Sequence, residues 1–144
     1  MPDSAISPPA IALPDEAIAF LRVPGRYAAV ATIDPDGGPH QALVWYRLIG
    51  STVVLNSRVG RRWPTNLARD QRISVLVSDG HDWVSLAGTV EMVEDQAVAQ
   101  GDIAAMARAY ETPEEAAESI ATFRTQQRVS FRVVPERIHI EIEE

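Results

Sequence analysis

The sequence predicts a mainly β domain, a small closed barrel of about six antiparallel strands with helices added late in the chain. Short runs of β-branched and apolar residues are separated by turn signals, as where residues 27–33 precede Asp-Pro-Asp-Gly-Gly at 34–38. Helical patterns do not alternate with these runs, which disfavours a βαβ fold. The 144 residues fit a single domain, 1–144.

The composition excludes several classes of function. The formal net charge is −7, which is unsuited to a general nucleic-acid binder. All 13 basic residues are arginine, so the sequence has neither a Schiff-base lysine nor a Walker-type phosphate loop. It has no cysteine for a disulfide or a thiolate zinc site, and no histidine pair at metal-ligand spacing, so we expect no metal site. The lack of cysteine suits a cytoplasmic protein, and the longest apolar stretches are too short for a membrane span.

The first half of the chain predicts an arm, a helix and three strands. Residues 1–13 have scattered prolines and no basic n-region, so we expect an extended arm rather than a signal peptide. Pro14 and the acids after it begin a short helix that ends near Arg22. Three strands joined by short turns then predict an antiparallel meander: residues 27–33, 39–48 and 52–57. Pro64 begins a second short helix, with Trp63 in extended conformation before it.

The second half predicts further strands around a helical insertion. Gly88 is a candidate bulge in the second of two strands: residues 73–78 and 83–93. Residues 94–127 predict a helical insertion of two helices, the second capped by Thr112. Alternating apolar residues then predict one or two closing strands around a proline: residues 129–134 and 138–142.

One segment is locally basic in this acidic chain. Residues 58–72 hold five arginines and one acid. The segment leads into the predicted helix at Pro64, where backbone N–H groups and the helix dipole favour an anion. Arginine side chains bind phosphate in a bidentate manner. The loop therefore predicts a site for a small phosphorylated ligand, with Arg58, Arg61 and Arg62 as candidate phosphate ligands.

The same residues have ordinary structural interpretations. The basic loop can be a solvated segment whose arginines pair with carboxylates of the chain. Trp63 can cap a ligand, stack on a guanidinium, or pack in the core or a dimer interface. Trp45 and Trp83 can likewise be core residues or border a flat aromatic ligand. The residue pattern leaves these alternatives open.

The order of several motifs resembles the pyridoxamine-phosphate-oxidase-like split β-barrel proteins. The motifs are AVATIDPDGGPH at 29–40, VWY at 44–46, VLNS at 54–57, NLARDQRISV at 66–75 and WVSLAGTV at 83–90. The resemblance covers about residues 15–93 and is closest to the flavin/deazaflavin oxidoreductases, group B. It implies an FMN-binding split-barrel fold of about six or seven antiparallel strands.

This resemblance also implies a cofactor and a site. The resemblance to group B implies a homodimer with a cofactor at each subunit interface. Many members of this group use the deazaflavin coenzyme F420, relatives bind FMN, and a few bind heme. Arg61 matches the arginine that holds the coenzyme's phosphate, and Arg58 or Arg62 replaces a lysine that many members have where Trp63 stands. The cofactor contacts implied in this way are Val44, Trp45, Asn56, Ser57, Arg58, Arg61, Arg62, Trp63, Asn66 and Trp83.

These observations predict an F420-dependent reductase that transfers a hydride from reduced F420 to an unsaturated small molecule. Two alternatives remain open: an FMN oxidoreductase on the same fold, and a non-enzymatic carrier of flavin, deazaflavin or heme. No catalytic acid is assigned, since Tyr46, His40, Tyr110 and solvent are all candidate proton donors. We expect residues 94–127 and the N-terminal arm to shape the substrate pocket.

Overall fold

The structure is a computed structural model that describes residues 11–143, which form one seven-stranded antiparallel sheet and four helices. The strands are β1 (Ala28–Ile33), β2 (Pro39–Val44), β3 (Arg47–Ile49), β4 (Thr52–Arg58), β5 (Arg72–Asp79), β6 (Asp82–Val93) and β7 (Arg128–Glu141). The helices are α1 (Asp15–Arg22), α2 (Arg62–Arg69), α3 (Gln96–Tyr110) and α4 (Pro113–Phe123). The mainly β fold with added helices is confirmed. Most of the predicted extended arm, residues 1–10, lies outside the described residues.

The meander predicted for the first three strands is right in its two antiparallel pairings and wrong in its continuity. The predicted strand 39–48 is broken after Val44, so that β2 pairs with β1 while β3 pairs with β4. The sheet order is β2-β1-β5-β6-β7-β4-β3, which places β2 and β3 at opposite edges. The break has a physical cause in Tyr110, whose hydroxyl accepts from the backbone N–H of Tyr46 and lies 3.2 Å from its carbonyl oxygen. This hydroxyl replaces the strand partners that a continuous β-ladder would supply.

The break also curls the sheet. Only Trp45 and Tyr46 lie between the end of β2 and the start of β3. A link of this length spans about 10 Å of chain, so the two edges of the sheet come close together at this point. The result is a barrel whose two edges are joined by this short link rather than by a continuous ladder, which is a split β-barrel.

The closing region is one long strand, and its path depends on Gly88. β7 continues through Pro135 as a single strand of 14 residues. The register of β6 with β7 shifts between Ala87 and Gly88, as predicted for this position, but the extra residue is Glu136 of β7 rather than Gly88 itself. A Cβ atom on Gly88 would lie 2.1 Å from the carbonyl oxygen of Val134, so the close approach of the two strands requires glycine.

The barrel interior and the helices form the core. Alternate residues of the strands point inward and meet α1, with Phe131, Leu55, Leu86 and Val75 among the fully buried side chains. Helix α2 begins at Arg62, so the extended conformation predicted for Trp63 is wrong. Pro64 still lies in the first helical turn, where a backbone N–H has no helical partner to lose. None of the described helices is long and apolar enough to cross a membrane.

Candidate functional site

A cleft of about 320 Å³ lies between β2, the end of β4, the start of α2 and the two late helices. Six residues predicted for the site line it: Val44, Trp45, Asn56, Ser57, Arg61 and Trp63. Five further residues complete its wall: Tyr27, Leu43, Ile103, Phe123 and Arg128. The structure therefore brings together residues that are more than 80 positions apart in the sequence.

The polar end of the cleft is built where the end of β4 lies beside the start of β7. In their antiparallel register, Asn56 lies opposite Ser130 and Arg58 lies opposite Arg128. Gly60, with a φ of +104°, then turns the chain toward α2, and Arg61 is the residue that precedes the helix. Because these turns are short, Arg61 and Arg128 line the same cleft, and Arg58 lies near enough for its charge to act on Arg128.

Arg128 was not predicted from the sequence as a site residue, yet it is a buried arginine in the wall of the cleft. Its side chain is buried, with the residue only 6% exposed. Its Nε donates to Asn56 Oδ1 at 3.1 Å and its Nη1 donates to Gln126 Oε1 at 2.7 Å. Its guanidinium carbon lies 4.6 Å from the centre of the Phe123 ring. Within residues 11–143, no carboxylate forms an ion pair with it.

The electrostatics of Arg128 favour an anion in the cleft. Burial, together with the positive charges of Arg61 and Arg58, lowers the pKa of Arg128 to about 10. Each of these influences makes the charged form of the side chain less favourable. A buried charge without a partner of opposite sign is costly. A phosphate or carboxylate bound in the cleft would supply that partner.

Two of the predicted site residues, Arg62 and Asn66, bond to the β1–β2 turn and do not line the cleft. Arg62 forms a bidentate ion pair with Asp34, from Nε at 2.9 Å and Nη2 at 2.5 Å. Asn66 is 2% exposed and its Nδ2 donates to Asp34 Oδ1 at 3.0 Å and to Thr32 Oγ1 at 3.1 Å. The bonds to Arg62 and Asn66 hold the pKa of Asp34 at about 2. Together they tie the β1–β2 turn to α2.

The other predicted residues are placed as follows. Arg58 is exposed at the end of β4 and acts on the cleft through its charge. Trp63 is 5% exposed; it lines the cleft and packs on Phe131, with 5.5 Å between the ring centres. Trp83 lies away from the cleft of its own chain, at the start of β6, where it stacks on His139 at 4.6 Å.

The tyrosines considered as proton donors have structural partners. The Tyr46 hydroxyl donates to the carbonyl oxygen of Leu21 at 2.7 Å, and burial raises its pKa to about 12. The Tyr110 hydroxyl donates to the carbonyl oxygen of Arg26 at 2.6 Å, and burial raises its pKa. Both hydroxyls are thus held in bonds that fix the chain around the break after β2. His40 lies outside the cleft wall, and no group of three or more His, Cys, Asp or Glu side chains within residues 11–143 could hold a metal ion.

Comparison with known proteins identifies the family. The sequence model of the pyridoxamine 5'-phosphate oxidase family matches residues 13–140. Protein Rv2991 of Mycobacterium tuberculosis has a similar structure, with a TM-score of 0.69 and 25% identity over 94% of this chain and 95% of that one. No curated protein matches the chain.

Two other solved structures share the fold at lower identity. An F420 reductase has a TM-score of 0.69 and 20% identity over 88% of this chain and 98% of that one. HutZ, the heme storage protein of Vibrio cholerae, has a TM-score of 0.68 and 19% identity over 88% of this chain and 93% of that one. Because the family match spans most of the described sheet and the structures agree with it, the chain belongs to the pyridoxamine 5'-phosphate oxidase family.

Proposed function

We propose that this chain is a flavin/deazaflavin oxidoreductase of group B that binds coenzyme F420 in the cleft. Reduced F420 would supply a hydride to an unsaturated small molecule. The observation that carries the proposal is Arg128, a buried cation without a carboxylate partner within residues 11–143. A coenzyme that joins a flat ring system to a phosphate suits a cleft that has this arginine and the indole of Trp45 in its wall. We place the protein in the cytoplasm, which suits a sequence without cysteine.

The residues of the cleft divide into two groups in this proposal. Arg128 and Arg61 bind the phosphate, and the charge of Arg58 adds to the positive potential at the same end. Trp45, which lines the cleft and stacks on Tyr110 at 5.2 Å between ring centres, provides a fixed aromatic surface beside the ring system. The chain binds, orients and shields the coenzyme, which carries the redox chemistry itself.

We further propose that a second copy of the chain covers the cleft. Leu43 is 68% exposed and Tyr27 is 48% exposed, and both border the cleft. In the sheet register Leu43 shares a row with Leu76, which is 40% exposed. Trp83 lies on the same face, opposite Ser78 of β5. Large exposed apolar side chains on one face are typical of an interface, and a homodimer formed through this face would bring Trp83 toward the partner's cofactor.

A binding titration tests the proposal. F420, FMN and hemin are each added to the purified protein and to Arg61→Ala, and binding is followed by fluorescence or absorbance. We expect micromolar or tighter binding of F420 that weakens about tenfold in the variant, equivalent to about 1.4 kcal/mol. Turnover of reduced F420 with a panel of unsaturated substrates then tests the reductase activity.

The other outcomes of the titration select between the alternatives. Tighter binding of FMN than of F420 would favour an FMN oxidoreductase on the same fold. Binding of hemin alone, or of any of the three without turnover, would favour a carrier. If none of the three binds, the proposed function is wrong and the basic loop is a solvated surface segment.

A further inference from the structure

A continuous line of buried hydrogen bonds connects α3 to Arg128. Asp102 of α3 is 6% exposed and accepts a hydrogen bond from Ser130 Oγ at 2.7 Å. Asn56 Nδ2 donates to Ser130 Oγ at 2.9 Å and to the carbonyl oxygen of Ala99 at 2.9 Å. Arg128 Nε donates to Asn56 Oδ1 at 3.1 Å. The line therefore crosses from a helix, through two strands, to the cation of the cleft.

The chemistry of Asp102 fixes the direction of every bond in this line. Asp102 forms an ion pair with Arg47 at 2.9 Å, so it is a carboxylate, which can only accept. Ser130 must then donate its hydroxyl proton to Asp102, and its oxygen accepts from the amide of Asn56. Both Nδ2 hydrogens of Asn56 are used in this way, so Oδ1 must face Arg128.

The same helix also holds the main chain of Arg128. Gln96 Nε2 donates to the carbonyl oxygen of Arg128 at 2.8 Å, and the backbone N–H of Arg128 donates to Gln96 Oε1 at 3.0 Å. On the side chain, Nε is bound by Asn56 and Nη1 by Gln126. Nη2 has no hydrogen-bond partner among the residues that the structure describes. The guanidinium is thus held in place through Nε and Nη1, and Nη2 is available to donate to an anion.

We propose that Asp102 is a positioning residue for the anion site. Through Ser130 and Asn56 it fixes the orientation of the Arg128 guanidinium, so that α3 sets the affinity for a phosphate that it does not contact. The inference rests on the proposed function, because it takes the phosphate of the coenzyme as the anion that Arg128 binds. A line that serves only to fasten α3 to the sheet would affect ligands with and without phosphate equally.

Paired ligands separate these two roles. FMN and riboflavin differ only by the phosphate, so their affinity ratio measures the phosphate contribution. In Asp102→Asn and in Ser130→Ala we expect FMN to bind about tenfold more weakly, while riboflavin changes by less than about twofold. Met106→Ala is the matched control for damage to α3 and the apolar wall of the cleft, since Met106 is a buried residue of α3 outside the line whose cluster packs against Trp45 and Phe123. It should affect FMN and riboflavin alike and leave the ratio unchanged. An equal loss for both ligands in the two line variants would overturn the inference.

A double-mutant cycle tests whether Asp102 acts through Arg128. In an Arg128→Met background, Asp102→Asn should cause no further loss of FMN affinity, because the group that it orients is gone. If the two effects on FMN affinity were additive, Asp102 would act by another route and the inference would be wrong.

The ligand-free protein gives an independent measurement. The hydrogen exchange of the Arg128 Nε–H, followed by nitrogen-15 NMR, reports on its bond to Asn56. We expect faster exchange in Asp102→Asn and Ser130→Ala, and wild-type exchange in Met106→Ala. Unchanged exchange in both line variants would overturn the inference. Faster exchange in a protein that binds neither F420 nor FMN would support the positioning role while refuting the proposed function.

Discussion

The two basic regions of this molecule place arginines in opposite electrostatic settings. In the outer region, near the β1–β2 turn and the end of α2, Arg62 pairs with Asp34 at 2.5 Å and Arg72 pairs with Asp70 at 2.7 Å. In the inner region, at the end of β4 and the start of β7, Arg128 is buried and has no carboxylate partner within residues 11–143. The outer arginines are already satisfied by the chain, whereas the inner one is not.

The contrast shows that a cluster of positive charge does not by itself mark a binding site. The hydrogen bond and the charge of Asp34 raise the pKa of Arg62 above its usual range. Burial and two neighbouring arginines instead lower the pKa of Arg128 to about 10. An anionic ligand gains most from the cation whose charge the protein itself leaves uncompensated. The inner region is therefore the stronger candidate for binding a phosphate.

The largest effect is expected for Arg128→Met, which removes the charge and keeps much of the side-chain volume. The affinity for F420 or FMN should fall by about a hundredfold, because charge-assisted hydrogen bonds of about 1.5–3 kcal/mol are lost. Riboflavin, which has no phosphate, should lose less than about threefold. Fluorescence titration of the three ligands measures both numbers. Equal losses for FMN and riboflavin would show that the substitution damaged the cleft as a whole, and the comparison between the two regions would fail.

Much of the fold could be predicted because its signals are local. Strand periodicity, the turn at 34–38 and the capping box of Thr112 and Glu115 all lie within a few residues of the elements that they determine. The break after β2 could not be predicted, because it depends on Tyr110, 64 residues from Tyr46. The register of β7 similarly depends on Gly88 of another strand.

The site was predictable in part for the same reason. The basic loop and Arg61 were visible because five arginines lie close together in the sequence. Arg128 was missed because it is one charge in front of an alternating strand, and its burial depends on Asn56 and Phe123, which come from other elements. The available signal was a charged residue at the first position of a strand, which starts beside the basic end of β4.

An intermediate effect is expected for Arg61→Ala. Arg61 lines the cleft but is exposed, so water and salt screen its charge. We expect a loss of about tenfold in F420 affinity at low salt, which shrinks as the salt concentration rises. Titrations at a series of salt concentrations measure this. The loss caused by Arg128→Met should depend less on salt, because that cation is buried. If the loss caused by Arg128→Met depended more strongly on salt than the loss caused by Arg61→Ala, Arg128 could not be the buried cation and Arg61 the exposed one.

A small effect on binding is expected for Arg62→Ala. The Arg62 guanidinium donates to both carboxylate oxygens of Asp34. Its charge is therefore largely compensated, and it should contribute little to the binding of an anionic ligand. F420 affinity should change by less than about twofold, the scale of a surface charge that acts only at a distance. Arg62→Ala is therefore the matched control for Arg61→Ala, since the two arginines are neighbours in the sequence. A tenfold loss in Arg62→Ala would place the outer region in the binding site after all.

The smallest effect concerns stability in acid rather than binding, and Asp34→Asn measures it. Bonds from Arg62 and Asn66 lower the pKa of Asp34 from 3.8 to about 2 in the folded protein. A carboxyl group whose pKa is lowered by folding stabilises the folded state above its ordinary pKa, and this contribution disappears as the pH falls through the folded value. The wild type should therefore be more stable than Asp34→Asn at neutral pH, and the difference should vanish between pH 3.8 and about 2. Urea unfolding at a series of pH values gives the difference directly. A wild-type advantage that persisted at the acid end would mean that the Arg62–Asp34 pair does not hold the turn, and the outer arginines could then no longer be described as satisfied by the chain.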